Sequence, residues 1–116
     1  MEASSQNTGG KETKALFIIV NAGFSTEAVE ITRRCGAKGA TIINARGSAG
    51  ADYKFSGINY EPEKEIILSL VEDDIAQKIM DAIRDDAGIS TPSHGICFCM
   101  PVERMTLLNK DNSAKF

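Results

Sequence analysis

Apolar residues in this chain fall into short continuous runs that alternate with stretches of helical period. Ala15-Leu16-Phe17-Ile18-Ile19-Val20 is unbroken, rich in β-branched and aromatic side chains, and closed by Asn21-Ala22-Gly23, which predicts a buried strand. From Ser25 the period changes. Ala28, Ile31, Thr32 and Cys35 recur as one helical face, Ser25 or Thr26 is placed to cap it, Arg33 and Arg34 suit its last turn, and Gly36 ends it. Residues 39–44 predict a second strand and residues 65–71 a third, apolar except at Glu65 and Ser69. Asp73 or a neighbouring acid then opens a second helix with Ile75, Ala76, Ile79, Met80, Ile83 and Ala87 on one face, stopped by Gly88. Ile96-Cys97-Phe98-Cys99-Met100 is the fourth strand. Residues 46–60, punctuated by Gly47, Gly50 and Gly57, form a long loop between the second and third strands, and loops of that length are commonly functional.

The order βαββαβ, with right-handed crossovers, predicts an α+β ferredoxin-like fold: a four-stranded antiparallel sheet with two helices on one face and strands 1 and 3 central. The domain is expected over 14–108. Residues 1–13 and 109–116 are polar and read as tails. A sheet covered on one face should alternate apolar and polar positions. Strand 1 does not: Leu16, Ile18 and Val20 lie on one face, and Phe17 and Ile19 on the other. Both faces demand cover, so a sheet-to-sheet oligomer is expected.

Charge narrows the partners. Thirteen basic against 16 acidic residues give a net charge of -3, which disfavours duplex nucleic acid and anionic membrane. No apolar run approaches the length that spans a bilayer, the first residues are polar, and the three cysteines form no disulfide framework, so a reducing cytoplasm is the expected location. The single histidine, His94, has no accompanying nucleophile motif, so an enzyme ranks third among the functional readings. Cys97 and Cys99 share one strand face and lack the further ligands of a metal site, which favours core packing. Other uses of this fold lack their residues. Phe17 is the lone aromatic on strands 1 and 3 where an RNA-recognition sheet needs stacking platforms, and Asn21-Ala22-Gly23-Phe24 stands where a metal chaperone carries CxxC. These features lead to an oligomeric ferredoxin-like binding module.

Residues 15–108 resemble the PII family of nitrogen-regulatory signal proteins. The likeness rests on the apolar first strand, Gly36-Ala37-Lys38-Gly39 before strand 2, and Gly47 at the base of the long loop. It extends to Pro62-Glu63-Lys64-Glu65-Ile66-Ile67-Leu68 opening strand 3, Glu72-Asp73-Asp74 opening helix 2, and Gly95-Ile96-Cys97-Phe98 opening strand 4. The resemblance implies a non-enzymatic homotrimer with ligand clefts between subunits, where family members hold ATP or ADP, and with a T-loop that regulates a partner such as a transporter or a nitrogen-metabolism enzyme. It implies a candidate cleft of Ile19, Arg46, Gly47, Ser93, His94 and Gly95, and candidate partner contacts at Tyr53, Phe55, Ile58 and Tyr60 on the T-loop. In typical members 2-oxoglutarate joins the nucleotide through magnesium, whereas the residues of this chain show no metal-ligand motif of their own.

The chain also departs from the family pattern. The glycine and acid of the B-loop before strand 4 fall at Ser93 and His94, Ile96 replaces the phosphate-binding lysine, and two C-terminal arginines land on Leu107 and Asn109. Three lost charge-assisted contacts at about 1.5 kcal/mol each remove about 4–5 kcal/mol, or about 10³-fold in affinity. An adenine nucleotide is therefore expected to bind weakly or atypically, with backbone donors at Gly47 and Gly95 as the remaining anion contacts. The alternative is a ligand-binding or scaffold module of this fold without nucleotide sensing.

Overall fold

A computed structural model describes residues 12–47 and 62–106, together with two short strands between these segments. The elements are β1 (Thr13–Asn21), α1 (Ser25–Arg34), β2 (Thr41–Arg46), β3 (Lys54–Phe55), β4 (Ile58–Asn59), β5 (Glu63–Glu72), α2 (Asp73–Asp86) and β6 (Ile96–Pro101). β2, β5, β1 and β6 form one antiparallel sheet in that order, the ferredoxin-like α+β arrangement expected from the sequence, with β5 and β1 central. Leu16, Ile18 and Val20 of β1 and Ile67 and Val71 of β5 are buried beneath Ala28 and Ile31 of α1 and Ala76, Ile79 and Ile83 of α2. The helical periods in the sequence therefore meet the strand face whose residues are most completely buried.

The ends of the elements differ from the sequence reading in instructive ways. β2 begins at Thr41 and runs to Arg46, because it follows the register of β5, from Thr41 opposite Leu68 to Arg46 opposite Glu63. Neither Ser25 nor Thr26 caps α1. The N-cap position is Phe24, and Glu65 of β5 supplies the carboxylate that accepts from the Gly23 and Ser25 amides, at 3.1 and 3.2 Å. A carboxylate there satisfies orphan donors and meets the positive end of the helix dipole. At α2 the N-cap is Glu72, without a side-chain cap bond, and Asp74 accepts from the Ile75 amide instead. The stretch expected to be a long loop carries the β3–β4 hairpin, with Lys54 opposite Asn59 and Phe55 opposite Ile58. Tyr53 and Tyr60 lie outside the described residues, as do most of the two terminal segments.

α1 does end at Gly36 as expected. With φ at +116°, Gly36 turns the chain so that its amide reaches the Arg33 carbonyl and the Ala37 amide reaches that of Thr32, the paired bonds of a Schellman motif. A Cβ would also meet Ile75 Cδ1 at 3.1 Å. Gly36→Ala should therefore cost about 1–2 kcal/mol, read as a lower urea midpoint with an unchanged slope.

The face without helices is apolar across all four strands. Cross-strand pairing lines up Ile43, Ile66, Ile19 and Ile96 in one row, and Thr41, Leu68, Phe17 and Phe98 in the next. Leu70, Ala15 and Met100 form a third row. The rings of Phe17 and Phe98 stack with centroids 5.0 Å apart. In the single subunit Ile96, Phe98 and Met100 remain 47%, 43% and 48% exposed, where a solvated sheet face would carry polar side chains.

Candidate functional site

The residues predicted for the cleft gather at one end of the sheet but on opposite edges. Arg46 and Gly47 close β2 on one edge, and Ser93, His94 and Gly95 lead into β6 on the other. Three strand spacings, about 14 Å, separate the two edges. Ile19 lies between them on β1, in the isoleucine row that opens the helix-free face.

Two residues outside the sequence-based set connect these edges. Lys64 stands opposite Asn21 and Ala45 in the ladders, and its Nζ donates to Asn21 Oδ1 at 2.7 Å. Asn21 in turn donates its side-chain amide to the Pro92 carbonyl at 3.0 Å and its backbone amide to the Ser93 carbonyl at 2.9 Å. A polar chain thus runs from β5 through the end of β1 to the turn before β6. Ala22, Asn44, Ala45, Arg46, Glu63, Lys64 and Glu65 line an open depression of about 420 Å³ beside it. Lys64 was legible in sequence only as one charge in the mixed Glu63-Lys64-Glu65 string. What singles it out is its register opposite Asn21.

The amide donors expected at the two glycines are already engaged. Gly47 donates to the Pro62 carbonyl at 2.9 Å, closing the loop base, and Gly95 donates to the Ala87 carbonyl at 2.8 Å. Each of these two amides is thus committed to a backbone carbonyl within the subunit. Gly95 is a glycine for a packing reason, since a Cβ there would sit 2.5 Å from the Ala87 oxygen. The Ser93 side chain is also committed, donating from its buried hydroxyl to Glu27 of α1 at 3.2 Å.

His94 is exposed and is the one non-glycine among the described residues with positive φ, at 51°. Its amide donates to the Thr91 carbonyl, and its Nδ1 lies 3.0 Å from the Ile89 carbonyl. A carbonyl only accepts, so Nδ1 carries the proton and Nε2 is left without a partner among the described residues. Ile96 joins the apolar face opposite Ile19 and adds no charge to the turn.

Cys97 and Cys99 turn to the helix side and pack against the core, in keeping with the structural reading of these thiols. Burial, with a smaller contribution from Cys99, pushes the Cys97 thiol up to about 12. Since the thiolate is the nucleophile, Cys97 should resist iodoacetamide at pH 8 in the native protein and react on unfolding, as read by mass spectrometry. Because the folded value is raised, its contribution to stability is complete below the unfolded thiol's range and falls away as pH climbs towards 12. Among the described residues no cluster of three or more His, Cys, Asp or Glu side chains could hold a metal ion, and no helix is long and apolar enough to cross a membrane.

Comparison with known proteins agrees with this architecture. The family model for nitrogen regulatory protein P-II matches residues 13–112. No curated protein matches the sequence. Among solved structures, a PII-like signalling protein from Thermus thermophilus superposes with a TM-score of 0.61 at 22% identity, over 78% of this chain and 85% of that one. CPII from Thiomonas intermedia, solved with ADP, AMP and acetate, gives 0.60 at 20% identity over 78% of this chain and 85% of its own. The same protein with ADP, AMP and bicarbonate gives 0.59 at 18% identity, over 78% and 89%. At these identities the structural likeness is one of fold. The family match spans every strand of the sheet and both helices, and the chain belongs to the nitrogen regulatory protein P-II family.

Proposed function

We propose that this protein is a cytoplasmic, non-enzymatic PII-like regulator that assembles as a homotrimer and binds an adenine nucleotide in clefts between subunits. The observation that carries the reading is the split site. Arg46 and Gly47 lie on one edge of the sheet and Ser93 to Gly95 on the other, so a cleft lined by both sets needs two subunits. The apolar rows of the helix-free face give those subunits a surface to share. The ADP and AMP bound by CPII support the choice of nucleotide class. Lys64 and Arg46 are the cations nearest such a ligand, and the segment 48–60 serves as the T-loop that meets a regulated transporter or enzyme, with Tyr53, Phe55, Ile58 and Tyr60 as its anchors.

A scaffold without nucleotide sensing is the second reading, favoured by the engaged amides of Gly47 and Gly95 and by the apolar placement of Ile96. Calorimetry separates the two. ADP and AMP should bind with micromolar or weaker dissociation constants and without magnesium-dependent coupling to 2-oxoglutarate. Absence of binding at millimolar nucleotide favours the scaffold, and submicromolar ATP binding coupled to 2-oxoglutarate would show that the lost charges had been replaced.

A further inference from the structure

We propose that the His94 imidazole contacts an anionic group of the bound ligand through Nε2 and holds it tightest when protonated. The proposal rests on the nucleotide reading above and assigns the pH regulation of that same site. It starts from a shortage of donors. In the turn before β6 the amides of His94 and Gly95 serve the Thr91 and Ala87 carbonyls, the Ser93 hydroxyl serves Glu27, and position 96 is isoleucine. Beside these engaged groups the histidine ring presents an exposed Nε2 that has no partner among the described residues.

That ring is held for the purpose. The Ile89 carbonyl fixes Nδ1 as the protonated nitrogen, so the exposed Nε2 is an acceptor while the ring is neutral and becomes a charged donor on protonation. A neutral ring therefore turns a lone pair towards an incoming anion, whereas the imidazolium offers it an N–H. The backbone at His94 is left-handed, at φ 51°, a conformation uncommon for a residue other than glycine. The neighbouring charges are otherwise occupied. On α1, Glu27 takes the Ser93 hydroxyl. At the end of α2, Arg84 pairs with Asp81 and Asp85, with Asp86 exposed beside them. On β5, Lys64 reaches the turn only through Asn21, and on β6 the titratable Cys97 packs towards the core. Among the described residues the ring has one partner, the Ile89 carbonyl.

The sole histidine gives one imidazole signal, so its titration can be followed directly by NMR in the untagged trimer. Linkage requires that an anion favouring the imidazolium raise the midpoint of that titration. ADP should raise it, and in calorimetry ADP should bind about tenfold tighter at pH 6 than at pH 8, the size of a charge-assisted hydrogen bond gained. His94→Asn tolerates the left-handed backbone and should retain only the pH dependence that the nucleotide phosphate itself carries. ADP binding that leaves the His94 titration unmoved, with the same pH dependence in the variant, overturns the inference and leaves the nucleotide reading standing. If ADP is silent and inorganic pyrophosphate raises the midpoint, the inference holds and the nucleotide reading falls. If neither moves it, the inference is overturned, and absence of ADP heat removes the nucleotide reading as well.

Discussion

Phe98→Asp should yield a folded subunit that no longer assembles. Phe98 lies on the helix-free face, 43% exposed and stacked on Phe17, so a carboxylate there meets water in the isolated subunit but would meet an apolar partner in the proposed trimer. Burying an unpaired charge at an interface costs several kcal/mol, more than one contact can return, and repetition at each symmetry-related interface multiplies the effect. Light scattering should report one subunit mass and circular dichroism a native spectrum. Ile18→Asp, one strand position from Phe17 but facing the helices and fully buried, should unfold the chain outright, with a loss above about 4 kcal/mol. The contrast is the informative result. Unfolding by both variants would mean that the helix-free face is as indispensable to the subunit as the core. A Phe98→Asp protein of unchanged native mass would place the assembly surface elsewhere.

Excising the proposed T-loop should separate the fold from partner capture. The Gly47 amide and the Pro62 carbonyl are already 2.9 Å apart, so the ends of the excised segment are closed by a backbone bond. A short Gly-containing turn in place of residues 48–59 can therefore join β2 to β5 without moving either strand. Loop-closure entropy changes slowly with length, so stability should stay within about 1 kcal/mol and the trimer should persist. Capture of the regulated partner in a pull-down should be lost entirely. Retained capture would move the partner surface off the loop, and loss of the trimer would make the loop part of the assembly.

These expectations show what was legible in sequence. The strands and helices were readable because continuous apolar runs and helical periods are local signals, and Leu16-Phe17-Ile18-Ile19-Val20 places apolar side chains on both faces of its strand. The sequence could not say which face was which. Ile18 and Phe17 differ in burial only because Ile18 meets α1 and α2, a fact of chain connectivity. Helix capping was misread for a related reason: local rules point to Ser25 or Thr26, whereas the acceptor is Glu65, forty residues away from Ser25. The candidate site was legible as two clusters, at Arg46–Gly47 and at Ser93–Gly95. The committed amides of Gly47 and Gly95, and Lys64 with Asn21 between the clusters, depend on strand register and became visible only with the sheet.

The central claim is that one ligand site is built from two subunits, and a crystal structure grown with ADP tests it most directly. The account predicts three subunits packed through their helix-free faces. ADP should lie between Arg46 and Gly47 of one subunit and Ser93, His94 and Gly95 of its neighbour. A nucleotide held entirely within one subunit, or subunits that leave Phe17 and Phe98 facing solvent, would contradict it.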